Sequence, residues 1–252
     1  MLSLRQTRIP RLLSQDEAGT LGSGDGGPMN YLAVPLASAA SNFRLLLVGR
    51  KMPAIDRQSV DIAAAMAKQV SVSLDNAQLI HELENLATTD SLTRLHNRRY
   101  FLERAAAEFE RSRRYQRPLS IFLLDADYFK AINDNHGHET GDQVLRALAS
   151  ACHNNLRQLD IIGRYGGEEF VVLLPETSLQ KAMEVAERLR AGVEALKVET
   201  AVGELDVTVS IGVALATSQT DSIAALINEA DRALYKAKRA GRNKVVLSGE
   251  DG

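Results

Sequence analysis

The 252-residue chain has no tryptophan and one cysteine, Cys152. A single thiol cannot build an internal disulfide framework, so a packed core must hold the fold, and this cysteine usage fits a reducing compartment. With only five histidines and that one cysteine, none at zinc-ligand spacing, a zinc centre is not expected. Long apolar runs are missing too: no window approaches the ~18–20 residues of a membrane span. The segment Met1–Ser14 carries positive charge without a continuous apolar stretch, so it does not read as a secretory signal. Charge of one sign is also lacking, with 30 Lys+Arg against 32 Asp+Glu and a net charge of −2. A general binder of nucleic-acid polymers would be clearly basic. What remains, at 45% hydrophobic and 25% charged, is the composition of a cytoplasmic α/β or α+β protein of one or two domains.

Residues 1–30 are weakly patterned. Gly22, Gly24, Gly26 and Gly27 with Ser23 and Asp25 read as a flexible loop; no Gly-Lys-Ser/Thr follows them, as a phosphate loop would require. Tyr31–Leu36 and Phe43–Gly49 are short apolar runs bounded by turn residues, predicting an antiparallel hairpin. Two strands cannot bury a core alone. From Asp56 to about Thr88 the pattern is helical, without Pro or Gly. Val72, Leu79, Leu83 and Leu86 form one stripe; Met66, Val70, Ala77, Ile80 and Ala87 form its neighbour. Such a double stripe suits packing on a partner helix or on the helix's own domain.

Residues 89–247 are denser in signal. Helices are predicted at Asn97–Arg114, Gly141–Arg157, Leu179–Leu196 and Ile223–Arg239. Strands are predicted at Leu119–Leu124, Ile161–Tyr165, Phe170–Leu174, Val207–Val213 and Lys244–Leu247, with Gly166-Gly167 as a hairpin signal. Interleaved in this way, they imply one mostly antiparallel sheet with one face covered by helices.

Four polar clusters fall at element ends, where a rigid scaffold can aim side chains. The first runs Asp125-Ala126-Asp127 to Lys130, Asn133 and Asp134, with Asp125 closing an apolar strand. The second is His136-Gly137-His138 to Gly141-Asp142, opening a helix. Arg164-Tyr165-Gly166-Gly167-Glu168-Glu169-Phe170 forms the third, at a hairpin tip. Lys238 to Arg242 and Lys244 form the fourth, at a helix C-terminus. Each has an ordinary alternative: Asp125 and Asp127 as helix caps, Glu168-Glu169 as a polar turn, Lys238 and Arg242 as cations complementing a helix dipole. Their conjunction points elsewhere. Carboxylates converging from a strand end and a hairpin tip repel one another unless a divalent cation joins them. All-oxygen ligation favours Mg²⁺ held by one or two carboxylates plus substrate phosphates, with Mn²⁺ possible. Lys130, Lys238 and Arg242 supply charge for a polyphosphate, and Gly166 and Gly167 allow close approach. Acidic groups for metal and basic groups for phosphate imply nucleotidyl transfer.

These residues resemble the GGDEF-domain diguanylate cyclases, in the GGEEF form. The likeness runs through Asp90–Arg99, Asp125–Asp134, Gly137–Asp142, Arg164–Phe170 and Ala230–Asn243, covering roughly residues 88–248; Arg94 stands where the family often has Gly. The resemblance implies a palm-like fold similar to nucleotide cyclases, and the condensation of two GTP into cyclic di-GMP with release of two pyrophosphates. It implies that Asp125, the carbonyl of Ala126, Glu168 and Glu169 hold Mg²⁺, with Glu168 or Glu169 helping to deprotonate the attacking 3′-hydroxyl. Asn133 and Asp142 would read guanine, whose N1–H and N2–H₂ need acceptors. His138 would line the nucleotide site, and Lys130, Lys238 and Arg242 would neutralise phosphates.

Arg157-Gln158-Leu159-Asp160 stands at the offset of the family's product-inhibition site, with Arg188 a third member. Away from that offset an RxxD would be a surface ion pair. The strands at 31–36 and 43–49, followed by Asp61–Ala77, resemble the end of a GAF sensor domain truncated on its N-terminal side. The expected organisation is a partial GAF-like segment at 1–55, a signalling helix at 56–88 and a catalytic domain at 89–248. The expected assembly is a homodimer; the alternative is an inactive receptor for cyclic di-GMP.

Overall fold

The computed structural model describes residues 10–13, 29–36, 44–51, 55–201 and 203–249. The Gly-rich stretch between Gly19 and Pro28 and residue Phe43 lie outside them. The chain divides into two compact units, Met1–Glu84 and Asn85–Gly252.

In the first unit, β1 (Arg11–Leu12), β2 (Met29–Leu36) and β3 (Arg44–Lys51) form an antiparallel sheet in that order. The expected hairpin is β2–β3, in register from Met29↔Lys51 to Leu36↔Arg44. Helix α1 (Arg57–Thr88) begins in this unit, and its Ala63 and Ala67 pack with Leu32, Val34 and Ile55. The small side chains at i and i+4 form the buried stripe. Ile62, Met66, Val70, Val72, Leu79 and Ile80 of the same helix are exposed.

In the second unit, α2 (Arg98–Tyr115) is capped by Asn97, whose side chain accepts from the N–H of Tyr100. Then follow β4 (Leu119–Ala126), α3 (Phe129–His136), α4 (His138–Asn155), β5 (Ile161–Arg164), β6 (Glu169–Pro175) and α5 (Leu179–Glu194). The hairpin β7 (Lys197–Thr200) and β8 (Gly203–Asp206), β9 (Val209–Leu215), α6 (Ile223–Arg239) and β10 (Val245–Leu247) complete it. The five-stranded sheet has the order β10-β9-β4-β6-β5 and is antiparallel except for the parallel β10–β9 pair.

Every residue of β4 is buried, because helices cover both faces of the sheet rather than one. Phe122 and Leu124 pack with Val144 and Leu148 of α4 and Ala186 and Leu189 of α5. Ile121 and Leu123 pack with Phe101 and Phe109 of α2 and Leu226, Ala230 and Leu234 of α6. A strand buried on both sides loses its polar alternation, and the apolar run at 119–124 is the pattern that double cover produces. The second helix opens at His138 and stops at Asn155, leaving Arg157 in the turn beyond it. Short α3, between β4 and α4, is a separate helix with only Phe129 buried.

Helix α6 lies unusually close to the sheet. A Cβ on Gly212 of β9 would overlap the carbonyl oxygen of Ala230 and the backbone N of Leu234. Both obstacles are backbone, so neither can swing aside. Gly212→Ala should therefore cost about 2–4 kcal/mol of stability, measured as a lowered urea midpoint. A loss below about 0.5 kcal/mol, the scale of a neutral surface change, would show that the helix can be displaced freely.

Candidate active site

The strand period of two sorts the carboxylates. Ile121 and Leu123 face α6, so Asp125 and Asp127, continuing that parity, turn to the same side. Asp125 is 4% exposed and pairs across the sheet with Glu169, which brings the hairpin carboxylates beside it. The Ala126 N–H donates to the carbonyl of Glu168 at 3.3 Å, continuing the β4–β6 contact past the strand end. From α6, Lys238 Nζ lies 2.8 Å from Asp125 Oδ2.

Electrostatically the cluster is unbalanced. Burial pushes the Asp125 carboxyl up to about 6, against the opposing pull of Lys238, and the charges of Glu168 and Glu169 raise it further. Burial also raises Glu168, with Lys238 opposing and Glu169 adding to the rise. Three carboxylates thus face one ammonium. Among the described residues these carboxylates do not close into a three-ligand metal cage. Their donors are all oxygen, which suits a hard cation that takes a few protein oxygens and completes its shell from phosphate and water, as Mg²⁺ does.

Asp127 behaves differently. Its carboxylate accepts from Thr208 Oγ1 at 2.8 Å, Ser210 Oγ at 2.7 Å and the Asn243 N–H at 3.0 Å. It fastens the turn after α6 to the end of β4, and that turn carries Arg242. Arg242 has φ 63° and its guanidinium stacks 4.6 Å from the ring centroid of Tyr128, itself at φ 57° and exposed. Asp127 was legible only as one residue of a cluster, and Tyr128 went unassigned. The Asp-Ala-Asp alternation at a strand end was the available signal for Asp127; nothing in the sequence marked Tyr128.

The hairpin is not a two-residue turn. β5 and β6 pair up to Arg164↔Phe170, and the N–H groups of Tyr165 and Gly166 both donate to the carbonyl of Glu169. Neither Gly166 nor Gly167 needs a positive φ. A Cβ on Gly166 would overlap Glu169 Oε2 and push that flexible carboxylate aside, while Gly167 faces open space. Arg164 holds the loop from behind: its Nε and Nη2 donate to the carbonyl of Gly167, and its Nη1 lies 3.1 Å from Asp90 Oδ1. Neither Asp90 nor Arg164 was singled out from sequence.

Of the other expected residues, Asn133 on α3 lies against Gly141, next to Asp142. A Cβ at 141 would overlap Asn133 Oδ1, a buried oxygen with no hydrogen-bond partner among the described residues. An unpartnered acceptor there is suited to a ligand N–H. Lys130 on α3 and His138 at the start of α4 are exposed. Apart from this site, the Arg157 N–H donates to Asp160 Oδ2 at 2.8 Å. Burial raises the Asp160 carboxyl, against the opposing pull of Arg157 and Arg188, so all three expected members come together.

The diguanylate cyclase GGDEF-domain family model matches residues 87–244, and the chain belongs to that family. Response regulator PleD of Caulobacter vibrioides is 46% identical over 170 residues, 67% of this chain and 37% of PleD. Diguanylate cyclase A of Treponema denticola is 37% identical over 222 residues, 85% of this chain and 58% of the relative. The chain thus spans little more than a third to somewhat over half of these relatives. Among solved structures, the GGDEF domain of DgcB from Caulobacter crescentus in complex with c-di-GMP is 35% identical with a TM-score of 0.62, covering 65% of this chain and 94% of that one. The active GGEEF domain of a diguanylate cyclase from Vibrio cholerae is 34% identical with a TM-score of 0.59, covering 62% and 98%. The mixed α/β fold with a central sheet flanked by helices is that of these cyclase domains.

An acid whose pKa is higher folded than unfolded weakens the fold as it ionises. For Asp125 the cost is absent below the usual carboxylate value of 3.8, grows as pH rises to about 6 and is complete above. Without divalent metal, Asp125→Asn should therefore be the more stable protein at pH 7–8, by about 1–2 kcal/mol after allowance for the weakened Lys238 contact. Urea titrations at pH 4 and pH 7.5 check this: the gain should appear only at the higher pH.

Proposed function

We propose that the chain is a diguanylate cyclase that condenses two GTP into cyclic di-GMP and two pyrophosphates. The observation that carries this reading is Asp125, desolvated and under-neutralised beside Lys238, at the end of the sheet where the charges of Glu168 and Glu169 also act on it. Family membership and the names of the relatives support it. In each of the two bond-forming steps a ribose 3′-oxygen attacks the α-phosphorus of the other nucleotide. The new P–O bond replaces the bond to the leaving pyrophosphate, and the hydroxyl proton passes to a hairpin carboxylate. Burial gives Glu168 a raised affinity for that proton, which favours it over an exposed carboxylate.

Asp125, the Ala126 carbonyl, Glu168 and Glu169 would hold Mg²⁺, or Mn²⁺, which when bound offsets phosphate charge and polarises the phosphorus. Lys238 counters the buildup of phosphate charge from α6, and Arg242 does so from the turn that Asp127 fastens. Lys130 and His138 meet the nucleotide from α3 and α4, Gly166 and Gly167 leave it room, and Asn133 and Asp142 accept from guanine. The domain has one such site and the product two new bonds, so two copies must face each other. The exposed Met66, Val70, Val72, Leu79 and Ile80 of α1 support a homodimer through that helix. The side chains at 81–86, including Leu83 and Leu86, lie outside the described residues.

Residues 1–55 serve as a partial GAF-like sensor segment, 56–88 as the signalling helix and 89–248 as the catalytic domain, operating in the cytoplasm. No described helix is long and apolar enough to cross a membrane. Arg157, Asp160 and Arg188 form a product-inhibition site: the planar guanidinium suits guanine O6/N7 and the carboxylate its N–H donors.

Incubation with GTP and Mg²⁺ should yield cyclic di-GMP identified by mass, whereas a receptor without turnover would bind that dinucleotide and make none. Glu169→Gln should lower turnover roughly a hundredfold or more with the fold intact by circular dichroism, since it keeps shape and removes charge; wild-type rates would remove Glu169 from the site. Specific activity should also fall on dilution through the dimer dissociation range. Constant specific activity in a preparation shown by light scattering to be monomeric would contradict the paired-site reading.

A further inference from the structure

A groove of about 540 Å³ lies between the Thr89–His96 turn and the Leu156–Asp160 turn that follows α4, a size within the range of small-molecule sites. Arg157 and Asp160 line one side and Arg94 the other, with His96 and His153 between. Two guanidinium groups against one carboxylate make it electropositive, and the charge of Arg188 also reaches Asp160.

Arg94 has φ 61°, a left-handed conformation that is unfavourable for a non-glycine residue. Its backbone is fixed inside the turn, where its N–H donates to the Asp90 carbonyl at 2.9 Å while the Asp90 N–H donates to that of Leu95 at 2.8 Å. The exposed guanidinium has no hydrogen-bond or ion-pair partner among the described residues. A strained residue whose side chain does nothing for the turn, yet borders a positive groove, calls for a role outside the fold.

We propose that Arg94 is the phosphate-binding arm of this groove: it pairs with a phosphodiester of the cyclic dinucleotide whose guanine lies on Arg157 and Asp160. This rests on the product-site reading above and adds a residue to it. The charge balance favours such an arm. Arg157 and Asp160 meet the edge of a guanine, and Asp160 brings a negative charge of its own that already draws on Arg188. A second cation is then suited to the two phosphodiester charges, and an arginine fork matches a phosphate with two parallel N–H bonds.

The test is calorimetric titration of the full chain with cyclic di-GMP at low and high salt, for wild type, Arg94→Gly and Arg157→Ala. Arg94→Gly relieves the left-handed strain, so the fold is not at risk. Loss of the charged contact should weaken binding roughly tenfold and flatten its salt dependence. Arg157→Ala should weaken binding at least as much. If Arg94→Gly binds like wild type with the same salt dependence while Arg157→Ala is weakened, the role of Arg94 is overturned and the product site stands. If neither substitution changes binding, or wild type does not bind, the product-site reading falls with it.

Discussion

Two buried aspartates at the end of β4, two residues apart on one face, set the terms for the rest of the second unit. One closes the strand and the other stands just past its end, with the same burial, yet their surroundings separate them. Asp127 receives three hydrogen bonds and is satisfied within the fold. Asp125 receives one ammonium and faces two further carboxylates. A buried carboxylate with its donors in place is structural; one left with excess negative charge is costly until a cation or a proton arrives. The division of labour between structure and chemistry is thus made by what stands opposite each residue.

Close helix packing makes that arrangement possible. Ala230, Ala233 and Ala237 give α6 a small-residue face, and Gly212 removes the obstacle on β9. The helix can then lie near enough to the sheet for Lys238 to reach Asp125 while still part-exposed at its other end. Asp127 holds the turn that follows, so α6 is fixed at the point where it delivers its two cations. Gly212 is outside the motifs of the resemblance in sequence, yet it packs on Ala230 and Leu234 of the one that carries Lys238.

Much of this was legible in the sequence. The apolar run at 119–124 ending in Asp125, the amphipathic periods of α2, α4, α5 and α6, and the polar clusters at element ends were enough for the mostly antiparallel sheet and the carboxylate–lysine constellation. What escaped was decided by contacts distant along the chain. Doubly covered β4 reads as a uniform apolar run, which fits cover on both faces but does not say which helices supply it. The β7–β8 hairpin is short, exposed and mixed in polarity, so period two gives no signal. Glycines at 166 and 167 look like turn residues, yet neither has a positive φ, and a side chain on Gly166 would displace the Glu169 carboxylate. Asp127 is a cap or a keystone depending on Thr208 and Ser210, some eighty residues away.

The hairpin itself depends on a residue that precedes the catalytic motifs. Arg164 uses one edge of its guanidinium for the Gly167 carbonyl and another for Asp90, while its own N–H bonds the His96 carbonyl. Asp90 also accepts from the N–H and hydroxyl of Thr93, and Asn97 closes the same turn on the carbonyls of Ala87 and Thr88. Burial works against the Asp90 carboxylate, but the Thr93 hydrogen bonds and the Arg164 guanidinium outweigh it and hold its pKa below the usual value, so it stays ionised and the fork stays engaged. Charge-assisted bonds are directional and stronger than neutral ones. The last turn of α1 is thus linked through Asn97, its neighbour His96 and Arg164 to the backbone of Gly167, one residue before Glu168, with Asp90 bracing the arginine. The position of the hairpin carboxylates is set as much by the chain's entry into the domain as by the strands that carry them.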